Sequence, residues 1–166
     1  KGVGIISKED AISFGVTGPT GRGSGLSCDI RKSHPYSAYD RVKFNEVLFT
    51  EGDTWARYKV RIQEMWESIS IIEQLIDNIP DGDFKVPTKA VIKLPKGEFY
   101  QRVETARGEL GVYINSDGNK NPYRVKFRSP GFSNLSILDH AARGSKLGDL
   151  VAIMASFDLV IPDIDR

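Results

Sequence analysis

Cysteine is almost absent from this chain: Cys28 stands alone among 166 residues. One thiol excludes an intrachain disulfide and is far too few for an iron–sulfur cluster. Histidine is nearly as scarce. Neither His34 nor His140 has a partner at metal-ligand spacing, and nothing in the sequence brings either one to Cys28. No apolar run approaches the roughly 20 residues that cross a bilayer, and no signal-peptide pattern is visible. An excess of one charge is lacking too. The formal net charge is +1, which argues against a dedicated nucleic-acid surface. These absences lead us to expect a metal-poor, cytosolic chain. Missing as well is an initiator methionine. The opening KGVGIISKEDA reads as the middle of a domain, so a piece of a longer polypeptide is expected.

What is present is ordinary globular material. Apolar residues make up 40% and charged residues 27%, enough for one domain with a real core. Residues 1–53 are rich in glycine and turn formers. Within them SKEDAISFG carries a short helix signal, with Ser7 as cap and Gly15 as stop. GPTGRGSG (18–25) has four glycines and a proline, and is expected to be loop.

The strongest element is 54–80. Thr54 is its candidate N-cap, and Trp55, Ile62, Met65, Ile69, Ile72, Ile76 and Ile79 share one face. Pro80 ends it. That stripe reads first as the face of a core helix, with a partner-binding helix as the alternative. After the linker DGDFKVPTKA the period changes. Segments 98–105, 108–115 and 123–129 alternate as strands, joined between the last two by turn residues SDGNKNP. Residues 133–166 return to helix, with Ser133 as a cap candidate. Helices and strands are segregated along the chain, so the expected class is α+β: a long helix, a small antiparallel meander and C-terminal helices.

Candidate chemistry is sparse. GPTGRGSG has the glycine spacing of a phosphate loop, but Ser24 stands where the lysine is required. A tight glycine turn that carries Arg22 to a neighbouring surface is the preferred reading. DIRKSHPYSAYD (29–40) gathers Asp29, Arg31, Lys32, Tyr36, Tyr39 and Asp40, as an ion-paired turn or as a ligand site. In ETARGELG, Arg107 lies between Glu104 and Glu109, which suggests a salt-bridge cluster.

The segments GVTGPTGRGSG…DIRKSHPYSAYD, GEFYQRVETARGELGVYINSDGNKNPYRVKFRSPGFSNL and SFDLVIPDIDR occur in the order found in one family. The chain resembles the C-terminal part of the D subunit of bacterial NADH:quinone oxidoreductase, the counterpart of the complex I 49 kDa subunit. Gly21, Ala106 and Leu159 depart from that pattern. Ala106 stands where the ExPRGE motif has proline. The family in turn is similar to nickel–iron hydrogenase large subunits, whose closing DPCxxCxxH binds the metal. On that pattern Asp158 keeps the aspartate, Val160 and Asp163 stand at the cysteines, and Arg166 at the histidine. Nickel and iron need thiolates there, so the resemblance implies no metal in this chain.

The resemblance further implies a respiratory role. Phe157, Asp158, Val160 and Arg166 would border a quinone-reduction region, next to the partner subunit that carries the terminal iron–sulfur cluster. Arg22, Arg31, Arg107 and Glu109 would serve structure or subunit interfaces. NADH would bind elsewhere in the complex, which would sit peripherally on the cytoplasmic side of the bacterial inner membrane. An isolated piece would be inactive. Two competing expectations remain: a metal-binding hydrogenase-type subunit, and a stand-alone binding module with no redox role.

Overall fold

The computed structural model describes residues 1–165, in which eight helices surround one three-stranded sheet. Helix α1 (Lys8–Ser13) begins where Ser7 Oγ accepts the Asp10 amide at 3.0 Å. Helix α2 (Gly18–Arg22) corrects the expected loop: Pro19 starts a short turn of helix, and all five residues are buried. Composition suggested a flexible segment, but Pro at the first turn is pre-set for helix. Helix α3 (Ile30–Ser33) is capped by Asp29.

Helix α4 (Thr54–Ile76) dominates the chain at 23 residues. Its cap is Asp53 rather than Thr54, with Asp53 Oδ1 accepting the Ala56 amide at 2.7 Å. The helix stops four residues before Pro80, at the Asp77 cap. Strands β1 (Gly97–Thr105), β2 (Gly108–Ser116) and β3 (Arg124–Arg128) form an antiparallel meander in that order. Thr105 pairs with Gly108, so Ala106 and Arg107 alone make the β1–β2 turn. Beyond the sheet come α5 (Pro130–Ser136), α6 (Leu138–Ala142), α7 (Leu147–Phe157) and α8 (Ile161–Ile164). Ser129, not Ser133, occupies the cap position of α5.

The core is small. Ile6, Ala11, Val16, Ile137, Ala141, Ile153 and Phe157 pack α1, α6 and α7 around the N-terminal arm. The expected core stripe of α4 is not part of it. Ala56, Arg57, Val60 and Ile71 are the buried residues of that helix, while Trp55, Met65, Ile69, Ile72 and Ile76 stand open on its other side.

Arg57 joins the arm to both long helices. Its guanidinium donates to the carbonyls of Gly52 (2.7 Å) and Gly4 (2.9 Å), and to Ser156 Oγ (2.9 Å). It also lies 4.9 Å from the centre of the Phe157 ring, a favourable cation–π distance. Burial, with Arg61 close by, brings its pKa down to about 10. No helix among the described residues is long and apolar enough to cross a membrane.

Candidate functional site

The site is assembled from the turn elements and the tail. Arg22, on α2, is fully buried. Its Nε donates to Glu64 of α4 at 2.6 Å and its Nη1 to Glu104 of β1 at 2.8 Å. It therefore ties together two elements of its own chain, where a reach to a neighbouring surface was expected. Burial works against this cation, but Glu64 and Glu104 outweigh it and raise its pKa. The Glu104 pKa is raised as well, but here burial is the cause: it lifts the carboxyl above the ordinary value despite Arg22. Its second oxygen accepts the Ile30 amide at 3.2 Å, and its backbone N–H donates to the Tyr36 hydroxyl at 3.1 Å.

The 29–40 segment is an ion-paired turn. Arg31 donates to Asp29 through Nε (2.9 Å) and Nη2 (2.6 Å), and its guanidinium covers the Phe44 ring at 4.9 Å. Burial opposes the Asp29 charge, but these bonds prevail and lower its pKa. Cys28 beside it is inert by environment, since burial pushes its thiol up to about 11. Its alkylation at neutral pH is expected to run about a hundredfold slower than that of a free cysteine, which timed iodoacetamide labelling reads directly.

Arg107 corrects the sequence reading. Glu104 and Glu109 face each other across the strands, and Arg107 projects past them from the turn. Its Nε donates to the carbonyl of Asp158 at 3.0 Å and lies 3.3 Å from the Asp158 carboxylate. Glu109 pairs with Arg102 instead, at 3.6 Å. Asn134 of α5 steadies the turn by donating to the Arg107 carbonyl at 3.2 Å and accepting the Thr17 amide at 3.2 Å.

Two clefts flank the Arg107–Asp158 contact. One of about 410 Å³ lies between α2, α4 and the β1 end, with Arg22, Arg61, Glu64, Met65, Glu104 and Asp158 on its walls. The other, about 310 Å³, is lined by Thr105, Arg107, Leu110, Pro130, Val160 and Asp163. Asp158 closes α7 in the left-handed region, at φ 52°, which turns the tail away from the helix axis. Phe157 is buried beneath it, Val160 is half-buried, and Ile161 is exposed. Asp163 accepts from Ser129 Oγ and from the Gly131 amide. Arg166 lies outside the described residues. Asp158 and Val160 are thus gathered with Arg22 and Arg107 around two adjoining clefts, whereas Phe157, expected on the pocket wall, lines neither and packs into the core against Arg57. Arg31 reaches the first cleft, and Glu109 reaches neither.

Sequence reasoning missed Arg61 and Glu64. Their spacing of three on α4, on the flank of its apolar stripe, was the available signal. Among the described residues, no group of three or more His, Cys, Asp or Glu could hold a metal ion.

The sequence profile of the family described as respiratory-chain NADH dehydrogenase, 49 Kd subunit, matches residues 1–93 and 83–166. The chain belongs to this family. It is 54% identical over 166 residues to the C/D subunit of NADH-quinone oxidoreductase from Bacteroides fragilis, covering all of this chain and 31% of that relative. It is 48% identical over 168 residues to the D subunit of NADH-quinone oxidoreductase from Desulfotalea psychrophila, of which it covers 45%. The chain therefore spans less than half the length of these relatives. Among solved structures, a chain of the membrane-bound sulfane sulfur reductase, an archaeal respiratory membrane complex, superposes with a TM-score of 0.93 at 39% identity. That match covers all of this chain and 46% of the other. The expected family and the α+β architecture both stand.

Proposed function

We propose that this chain is a non-metal region of the 49 kDa-type polypeptide in a respiratory NADH:quinone oxidoreductase, where its tail helps to form the quinone-reduction site. The observation that carries this reading is the Arg107–Asp158 contact between two adjoining clefts, with half-buried Val160 on one wall. A quinone site needs an apolar channel and a few polar groups at the head. Val160 and Leu110 supply apolar wall; Asp158, Arg107 and Arg61 supply oriented charge. The iron–sulfur cluster that delivers electrons belongs to a partner subunit of the same complex, peripheral on the cytoplasmic face of the inner membrane. NADH is oxidised elsewhere in that complex.

A hydrogenase-type metal centre has little support. Valine has no donor atom, and the Asp163 carboxylate is already committed to Ser129 and Gly131. A stand-alone module would seal its apolar surface, whereas α4 leaves its stripe open. One observation does favour a second acceptor. The sulfane sulfur reductase chain has this same architecture, so the fold is compatible with electron transfer to an acceptor other than quinone.

The test uses the assembled complex. Val160→Met narrows the second cleft, and overpacking of about 1–3 kcal/mol predicts a loss of roughly 5- to 150-fold in quinone reductase efficiency or inhibitor sensitivity. Asp158→Asn keeps the left-handed turn and removes the charge. Wild-type rate, apparent quinone affinity and inhibitor sensitivity in both variants, with assembly intact, would refute the assignment.

A further inference from the structure

Asp158 stands near two guanidiniums, and its carboxylate is firmly held by neither. Nε of Arg107 donates to the Asp158 backbone carbonyl at 3.0 Å and only approaches the carboxylate, at 3.3 Å. Both side chains of that pair are more than a third exposed, and ion pairs in such settings bind weakly. The two Nη groups of Arg107 have no hydrogen-bond partner among the described residues. The pair is also divided between the clefts. Arg107 lines the second, with Leu110, Pro130 and Val160, while Asp158 lines the first.

Arg61 is on the wall of that first cleft. Its Nη1 donates to the Arg57 carbonyl at 3.1 Å, within its own helix. Nε and Nη2 are withdrawn from water and have no hydrogen-bond partner among the described residues. These two N–H groups form one edge of the guanidinium, the fork that matches both oxygens of a carboxylate. A buried edge left unmatched is costly. Burial accordingly lowers the Arg61 pKa, and Asp158 is the carboxylate that most offsets it. The other carboxylates of the cleft are committed, since Glu64 and Glu104 both bond Arg22, at 2.6 and 2.8 Å. Arg31, the remaining cation there, is paired with Asp29.

We infer that Arg61 is a positioning residue for the acceptor pocket: its open fork is a second seat for the Asp158 carboxylate, and a carboxylate seated there releases the Arg107 guanidinium to the acceptor's oxygen. The inference rests on the quinone-site reading above. Reduction puts negative charge on the carbonyl oxygens of a quinone, and donors aimed at developing charge stabilise it. With Asp158 beside it, Arg107 is neutralised and serves that role poorly. With Asp158 on Arg61, each negative charge has its own partner. Arg107 stays in place through the exchange, because its Nε bond goes to the backbone carbonyl of Asp158. Asn134 holds the Arg107 carbonyl from the other side, at 3.2 Å. No bond to the acceptor is made or broken at these residues; the exchange moves charge only.

The experiment measures quinone reductase kinetics of the assembled complex carrying Arg61→Gln, Arg61→Lys, Asp158→Asn and the two double variants. Arg61→Gln is expected to lower kcat about tenfold and to leave KM within about twofold, because the lost contact forms only as charge develops. Arg61→Lys should lose roughly threefold, since lysine keeps the charge and lacks the fork. In the Asp158→Asn background neither Arg61 change should cost more than about twofold, as no carboxylate remains to be seated. If the glutamine variant does not assemble, the lysine variant completes the same cycle. Wild-type kcat in the Arg61 variants, a rise in KM alone, or losses that multiply with Asp158→Asn overturn the proposal. Those outcomes leave the quinone-site reading standing as long as Val160→Met is impaired. That reading falls, and this proposal with it, if Val160→Met and Asp158→Asn both behave as wild type.

Discussion

Arg22→Met is expected to be among the most damaging single substitutions in this chain, costing about 3–5 kcal/mol in the unfolding free energy of the full-length polypeptide. The methionine fits the volume but leaves Glu104 and Glu64 facing each other without a cation, one of them deeply buried. The loss should depend on pH in a defined direction. Burial already holds the Glu104 carboxyl above its ordinary value, and Arg22 is the first influence pulling it back. Without Arg22 the folded-state pKa moves further up. A carboxyl whose folded pKa exceeds its unfolded one is favoured in the native state while protonated. Its contribution is therefore complete below the unfolded value near 4.5, and is lost as pH rises through the folded one. Denaturation midpoints of variant and wild type should converge toward acid pH and separate toward neutral. A constant gap across that range would show that Arg22 acts only through packing.

Gly18→Ala is expected to be comparably severe, at about 3 kcal/mol or more. Gly18 sits at φ +69°, and a Cβ there would lie 2.4 Å from the Arg107 carbonyl oxygen and 2.5 Å from the Gly108 Cα. Both neighbours are backbone and cannot step aside. The start of α2 and the β1–β2 turn approach each other through these two glycines, so the substitution also displaces Arg107 from Asp158. Gly15→Ala provides the comparison. It shares the left-handed backbone, at φ +65°, with nothing within 4 Å, and should cost only the conformational strain of about 1–2 kcal/mol. Thermal unfolding of the two variants separates clash from strain. Equal losses would mean the close approach is unimportant.

The glycine-rich GPTGRGSG segment shows why part of this fold was hidden in its sequence. Its composition says flexible, while its first glycine, Gly18, lets two backbones touch, and the second backbone lies far along the chain, at Arg107 and Gly108. Arg107 was misassigned for a related reason. Glu104 and Glu109 are its neighbours in sequence, but the two-residue turn throws Arg107 beyond the strand ends toward the tail. Local signals fared better. The Ser7 cap, the strand alternation and the start of a long helix at Thr54 were legible, because each depends on residues within one or two turns, although α4 ends at Ile76 rather than at Pro80. The direction in which the α4 stripe faces was not legible, since periodicity defines a face without saying what covers it. Of the site, Asp158 and Val160 came from the family resemblance. Arg61 came only from the geometry.

Arg57 decides which parts of the chain can open independently. The N-terminal arm through Gly4, the start of α4 and the last turn of α7 share that single guanidinium. To detach any one of them strands a buried cation, so they are bound to open together as one cooperative unit, near the cost of global unfolding. Asp158 follows directly on that unit. Opening at low cost is left to the connection between α4 and β1 and to residues 161–165, which follow a fixed base.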